Sequence, residues 1–422
     1  MSRPKVVIVG AGFAGMKMAH EFSKKDVDVT LIDRHNFHLF APLLYQVSTS
    51  LLDSDEVAHP VRASFRGTDV DFFMAKVTGV DFEKKEVLTA HGEIPYDYLV
   101  LSAGSTTNFF GMENVKKYSY GMKTLQEAER IKNHILHMFE RADKCDDEAE
   151  RRKMLTFVCV GGGPTGIEEA GSIAEIAYLI MPAEYRHISV EEIKVILIEA
   201  TDKVLAMVDP SLQEATVKTL EKKGVEVRKN TQVVDCSEDG LTLKTGEFIP
   251  TRTVIWAAGV RAVNFVRDLD AEHDRGGRIV VDEKLHVPGK DGVYAVGDCA
   301  SFMHYGDKRP LPTIAPVATH QAAVCVENIM NVIAGKPEKQ KDFHYKDLGT
   351  MATIGRCQAV AQMPNGMKLT GFPAWCAWMF VHLWRLTGAH SNVTVLLKWT
   401  WNLISGTRLG RIITNIDIRD QV

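Results

Sequence analysis

The chain has 422 residues, 45% of them apolar and 25% charged, with a formal net charge of −4. That length exceeds one ordinary core and predicts two or three domains, and the slightly acidic balance excludes the strongly basic character of a nucleic-acid binder. Seven cysteines without a CxxC pair exclude a disulfide framework and predict a reducing compartment.

The opening MSRPKVVIVG enters a strand with no basic-then-apolar leader, so cytosolic synthesis is expected. Val6 to Val9 form the continuous apolar run of a strand buried on both faces. Gly10, Gly12 and Gly15 follow in G-x-G-x-x-G spacing, ahead of a helix-like MKMAHEFSKK. Glycine there permits a tight turn, close approach of backbone to a pyrophosphate, and helix-on-strand packing, with the helix N-terminus facing the phosphates. VDVTLID supplies a second strand ending in Asp33, where a carboxylate accepts hydrogen bonds from a ribose hydroxyl. His35 and His38 have no neighbouring carboxylate or cysteine cluster, and no metal site is expected.

The segment NFHLFAPLLYQVSTSLLD at 36 to 53 holds no cysteine, which argues against a dithiol as electron acceptor. At 154 to 171, MLTFVCVGGGPTGIEEAG repeats the first design, with Gly161, Gly163 and Gly166 after another apolar strand. Its second strand, KVILIEA, ends in Glu199, and a carboxylate there favours NADH over NADPH because it repels a 2′-phosphate. Lys203 softens that preference. Cys159 and Cys299 read as small buried apolar residues.

Three further segments resemble those of two-dinucleotide flavoproteins. VYAVGDCA at 293 to 300 carries Gly297 and Asp298 in a late G-D turn like the one that holds the ribityl chain of FAD. DYLVLSAGS, with Gly104, and TVIWAAGV, with Gly259, resemble the crossings between the two domains of that class. The resemblance implies an α/β fold of two Rossmann-like dinucleotide-binding domains. Residues 1–112 and 268–345 would bind FAD through the first motif and Asp298, and 113–267 would bind NADH through the second. Residues 346–422 would form a C-terminal amphipathic helical membrane-docking region.

That last region is compositionally distinct. Five of six tryptophans, Trp375, Trp378, Trp384, Trp399 and Trp401, fall within it, and Leu348 to Ile416 contains no Asp or Glu although about nine would be expected. Arg356, Lys368, Arg385, Lys398, Arg408 and Arg411 make it locally basic, the composition of a surface that meets anionic lipid headgroups. VTVLLKWTWNLIS places Thr394, Lys398, Asn402 and Ser405 along one helical face, with Val395, Leu396, Trp399 and Leu403 opposite. WCAWMFVHLWRL is apolar nearly all round except for His382 and Arg385. No apolar run reaches the length of a spanning helix. A dimer interface or core helix pair would have a similar composition.

Taken together, VVIVGAGFAG, HLFAPLLYQV, VGGGPTGIEEAG, VIWAAGV, VYAVGDCA, YKDLGTMATIGRCQAVA and the aromatic tail resemble the type II NADH:quinone oxidoreductases over essentially the whole chain. The resemblance implies FAD-dependent oxidation of NADH with transfer of two electrons to a membrane quinone, without proton pumping. It further implies a homodimer held peripherally on the cytoplasmic side of the inner or cell membrane. Glu168 matches a family carboxylate near the flavin and nicotinamide that assists proton delivery, with Glu169 competing for the same role and helix capping as the alternative. In PTIAPVATHQA, Pro316 stands where the family usually has glutamine, leaving His320 and Gln321 as candidates on the quinone side; His390 is a further one. A soluble NADH-dependent flavin reductase or oxidase with a dimerising tail is the alternative function, and a nicotinamide-binding regulator with poor turnover a third.

Overall fold

The computed structural model describes residues 3–304, 306 and 309–414; the last eight residues of the expected docking region lie outside them. The chain divides into two compact units. The first comprises residues up to Leu39, His59–Thr106 and Val260–Asp347; the second comprises Phe40–Ala58, Thr107–Gly259 and the segment from Leu348 onward. The units differ from the expected boundaries: residues 107–112 group with the second unit and 260–267 with the first. Residues 40–58 pack with the second unit, and so does the tail, which forms no separate body.

In the first unit, five parallel strands run in the order Val293–Ala295, Tyr98–Leu101, Lys5–Val9, Asp28–Asp33, Asp71–Met74. Val6 to Val9 are at most 3% exposed, as a strand covered on both faces requires. The helix Phe13–Phe22 follows the glycine turn and packs against the helix Ala315–Ile333. An antiparallel three-stranded meander, Val77–Asp81, Glu86–Thr89 and Gly92–Pro95, inserts before Tyr98–Leu101.

The second unit repeats the plan. Its parallel sheet runs Tyr120–Gly121, Thr253–Trp256, Thr156–Val160, Lys194–Ile198, Val225–Arg228, and a meander of Val233–Ser237, Gly240–Leu243 and Phe248–Pro250 inserts before Thr253–Trp256. The tail adds a third meander, Thr350–Thr353, Ala359–Gln362 and Lys368–Thr370, and then two helices, Gly371–Arg385 and Ala389–Ser405. No helix among the described residues is long and apolar enough to cross a membrane.

The tail helices do not divide their residues as the helical pattern predicts. Val395 and Trp399 are buried as expected, but Asn402 is buried too, and Leu396 and Leu403 are exposed with Leu397 and Ile404. The reason is that the polar line has partners inside the protein. Lys398 pairs with Asp53 and Glu56, and Asn402 donates to the Thr407 carbonyl. Other tail cations behave alike: Arg408 pairs with Glu175, Arg411 with Glu184 and Lys368 with Asp209. The acid-free span therefore supplies counter-ions to carboxylates elsewhere in its own unit, and its basic composition is mostly not a free positive surface. The tryptophans split as well: Trp375, Trp378 and Trp399 are buried, whereas Trp384 is 81% and Trp401 51% exposed.

Candidate functional site

Both glycine turns are built for close backbone approach. Gly10 has φ +108°, and a Cβ there would lie 2.4 Å from the Ser102 carbonyl oxygen; a Cβ on Gly15 would lie 1.8 Å from the Gly10 oxygen. Gly161 and Gly166 repeat this against Ala257 and Gly161, at 2.5 and 1.9 Å. Gly12 and Gly163 differ, since a Cβ on either would meet nothing within 4 Å. Each is the N-cap of its helix, with no side-chain cap and no acidic residue in the first turn. The first N–H groups and the positive end of each helix thus face open space beside a residue with no side chain, which suits a phosphate.

The two carboxylates at the second-strand ends mirror one another. Asp33 accepts from the N–H of Ala11 at 2.7 Å and of His35 at 2.8 Å. Glu199 accepts from the N–H of Gly162 at 2.6 Å and of Thr201 at 2.7 Å. Each ties its glycine turn to the strand and keeps lone pairs for a ribose hydroxyl. Glu199 also accepts from the Thr201 hydroxyl at 2.8 Å.

In the first unit, Gly297 (φ +71°) starts a short helical turn whose N–H donates to Gln321 Oε1 at 2.7 Å, and Asp298 accepts from the Ser105 hydroxyl at 2.6 Å. Gln321 is 1% exposed, so its oxygen supports the Gly297–Asp298 turn from beneath. His320 is half-buried, its ring 5.6 Å from that of Tyr345. Pro316 falls in the first turn of the Ala315–Ile333 helix, where the missing N–H would have had no intrahelical partner. Gly104 takes φ +73° in open space, and Gly259, at φ +154°, faces the Phe110 ring. These residues fit a flavin dinucleotide: an uncapped helix N-terminus with room at Gly12, a ribose carboxylate, and a second carboxylate on a pinned turn.

Glu168 and Glu169 lie in the second turn of the Pro164–Glu175 helix, 8% and 0% exposed. Neither caps the helix. Glu168 accepts weakly from the Thr353 N–H at 3.3 Å, and the Trp378 indole N–H beside it also favours its charged form. Glu169 faces Ser48. Burial dominates both and raises each to about 8, so both carboxyls hold protons at neutral pH.

Around them runs a network that the pattern of the chain does not announce. Trp399 Nε1 donates to Gln46 Oε1 at 2.7 Å, Gln46 Nε2 donates to the Tyr45 hydroxyl at 2.8 Å, and that hydroxyl lies 3.0 Å from Thr353 Oγ1. Arg408, 2% exposed, donates to the Thr49 carbonyl and to Glu175. Tyr45, Gln46, Glu175, Thr353, Trp399 and Arg408 line a small cavity of about 30 Å³ with Trp375 and Trp378. Spacing alone could not find it, because its members come from five separate stretches. The lack of acids in the tail was the available signal, and it pointed to lipid rather than to Glu175. His390, exposed at the start of the Ala389–Ser405 helix, takes no part in these bonds.

Comparison with known proteins agrees with this construction. Residues 4–322 match the pyridine nucleotide-disulphide oxidoreductase family model. The type II NADH:quinone oxidoreductase Ndh of Mycobacterium tuberculosis is 36% identical over 97% of this chain and 90% of its own, and NdhA of the same organism is 35% identical over 98% and 90%. Among solved structures, Plasmodium falciparum NDH2 in complex with NADH superposes with a TM-score of 0.89, covering 98% of this chain and 100% of that one at 21% identity. The sulfide:quinone oxidoreductase of Aquifex aeolicus shares the fold more distantly, with a TM-score of 0.72 at 16% identity over 96% of each chain. At 35 and 36% identity to those relatives over nearly its whole length, and with both glycine turns and both strand-end carboxylates in place, the chain belongs to the type II NADH:quinone oxidoreductases.

Proposed function

We propose that the protein oxidises NADH and reduces a membrane quinone by two electrons without pumping protons. The observation that carries this reading is the duplication: two five-stranded parallel sheets, four strands of each in the same order, each with an open glycine turn and its own strand-end carboxylate. One is suited to a resident FAD and the other to an exchanging NADH. We assign FAD to Gly10, Gly12, Gly15, Asp33, Gly104, Gly297 and Asp298, and NADH to Gly161, Gly163, Gly166, Glu199 and Gly259.

When bound, FAD supplies a ring that takes hydride from NADH and gives two electrons to quinone. The chain's share is to bind, orient and manage protons. Asp33 and Glu199 hold the riboses, the two helix N-termini hold the phosphates, and Gln321 keeps the Asp298 turn in place. NADH, one proton and quinone yield NAD⁺ and quinol, so each turnover draws one proton from outside the two substrates. Glu168, neutral when resting and buried, is the group we assign to deliver it. His320, half-buried beside Tyr345, is the remaining quinone-side candidate.

We further assign the outward apolar side of the tail helices to membrane docking. Phe380, Trp384, Leu397 and Ile404 are 67%, 81%, 62% and 77% exposed, a larger apolar display than a soluble surface usually carries. The test is NADH oxidation by flavin-loaded protein with and without a short-chain quinone, alongside vesicle flotation. Quinone-stimulated oxidation with flotation supports the reading. Oxidation that quinone does not stimulate, by protein that stays in solution, would favour the soluble flavin reductase with a dimerising tail.

A further inference from the structure

The Pro164–Glu175 helix carries two neighbouring carboxyls into the interior of the second unit, and the proton delivery assigned above uses only Glu168. Glu169 is the more deeply buried, at 0% exposure. Its two oxygens lie 2.9 and 2.8 Å from Ser48 Oγ, which lies 2.8 Å from the Tyr45 carbonyl oxygen. A hydroxyl has one proton to donate and lone pairs to accept with, so this triangle has two complete arrangements. With Glu169 protonated, its O–H donates to Ser48 and Ser48 donates to the Tyr45 carbonyl. With Glu169 ionised, Ser48 turns its proton to the carboxylate, and the Tyr45 carbonyl keeps the Thr49 hydroxyl, 2.6 Å away. Neither state strands Ser48 or the carbonyl, which is what reversible proton holding inside a core requires.

The titratable groups facing Glu169 are few. Arg408, from the tail, favours its charged form, and Ser48 on the Leu44–Ser48 helix does the same by hydrogen bonding. The Cys159 thiol on the Thr156–Val160 strand is raised by burial and then by Glu169. Glu168 precedes it on its own helix, and a charge on Glu169 raises Glu168. Tyr45 presents its carbonyl to Ser48 and its hydroxyl to Thr353.

We propose that Glu169, with Ser48 as its hydrogen-bond switch, is a second proton-holding carboxyl whose charge controls whether Glu168 keeps its proton. The inference rests on the assignment of Glu168 to proton delivery. Glu169 acts through Glu168 and is a positioning residue. Two coupled carboxyls lose their protons one at a time, so the first ionisation makes the second harder. A pair therefore keeps one proton in place to a higher pH than a lone carboxyl in the same site. The reaction needs one proton per turnover, so this widens the pH range in which quinone is reduced.

The test uses flavin-loaded, full-length protein and the variants Glu169→Gln, Glu168→Gln and Ser48→Ala. The infrared signal of buried carboxyls is titrated from neutral to alkaline pH, and the pH profile of quinone-dependent NADH oxidation is measured on the same samples. The parent should show two titrating buried carboxyls and each Gln variant one. In Glu169→Gln the alkaline limb of quinone reduction should move about one pH unit toward neutral, which reads as roughly tenfold lower turnover at a fixed alkaline pH. Ser48→Ala should shift the Glu169 titration the other way, upward, because it removes a bond that favours the charge. An unmoved alkaline limb in Glu169→Gln, or an unmoved carboxyl titration in Ser48→Ala, would overturn the proposal. If Glu168→Gln itself keeps parental quinone reduction at every pH, the failure belongs to the Glu168 assignment instead.

Discussion

Replacing Trp384 by alanine tests the proposed docking of the tail helices on a membrane. Trp384 is 81% exposed on the Gly371–Arg385 helix, its ring stacked with that of the outward Phe380 at 6.3 Å between centroids. A tryptophan carries about 200 Å² of surface. At about 25 cal/mol per Å², full immersion of the exposed part would contribute about 4 kcal/mol, and insertion to half depth about 2 kcal/mol. The electrostatic contribution is smaller. Of the six cations between Leu348 and Ile416, Lys368, Lys398, Arg408 and Arg411 are paired within the protein, and Arg356 donates to the Asn402 carbonyl. Arg385 is left exposed, and one cation at an anionic surface is worth about 1 kcal/mol. Trp384→Ala should therefore weaken binding to neutral vesicles about 30-fold in a flotation or fluorescence-quenching titration. Exchanging neutral for anionic lipid should strengthen the parent only about fivefold, with shallow salt dependence. Unchanged vesicle affinity would refute the reasoning. So would steep salt dependence, or a variant whose main defect is a lost dimer by analytical ultracentrifugation.

Further outcomes follow from the same geometry. Arg408→Met strands the buried Glu175 carboxylate, which burial pushes up but Arg408 and Lys223 hold below its ordinary value; it should cost about 3–5 kcal/mol in denaturant unfolding, with Glu175→Gln restoring part of that in the double variant. Glu199→Gln removes the charge that repels a 2′-phosphate, so the preference for NADH over NADPH in kcat/KM should fall about tenfold, roughly the worth of one charge-assisted hydrogen bond. Glu168 and Glu169 have folded pKa values raised above those of the unfolded chain, so their contribution to stability is fully present below about pH 4.5 and is lost as pH rises through about 8. Unfolding midpoints followed between those limits should fall less steeply in Glu168→Gln and in Glu169→Gln than in the parent.

Why the glycine turns were legible and the carboxyl network was not has a physical answer. A nucleotide turn is a local device: at Gly10 and Gly15, or Gly161 and Gly166, backbone lies where any Cβ would collide, and both requirements fall within six residues of chain. Asp33 and Glu199 are legible for the same reason, because a parallel strand of set length carries its last side chain back to the turn. Amphipathicity is different, since it predicts a face without saying what the face meets. The line Thr394, Lys398, Asn402 reads as a solvated edge until Asp53 and Glu56, more than 340 positions earlier, are found to take the lysine. Helical periodicity then places Leu396 and Leu403 on the inner side, although the lysine's partners turn them outward. A carboxylate can sit near neutral charge inside a core only where distant segments complete its hydrogen bonds, as Ser48 does for Glu169 across 121 positions. The buried carboxyls to which proton handling is assigned are thus those that adjacency in the chain describes least, and Glu169 is told from Glu168 only by what each one touches.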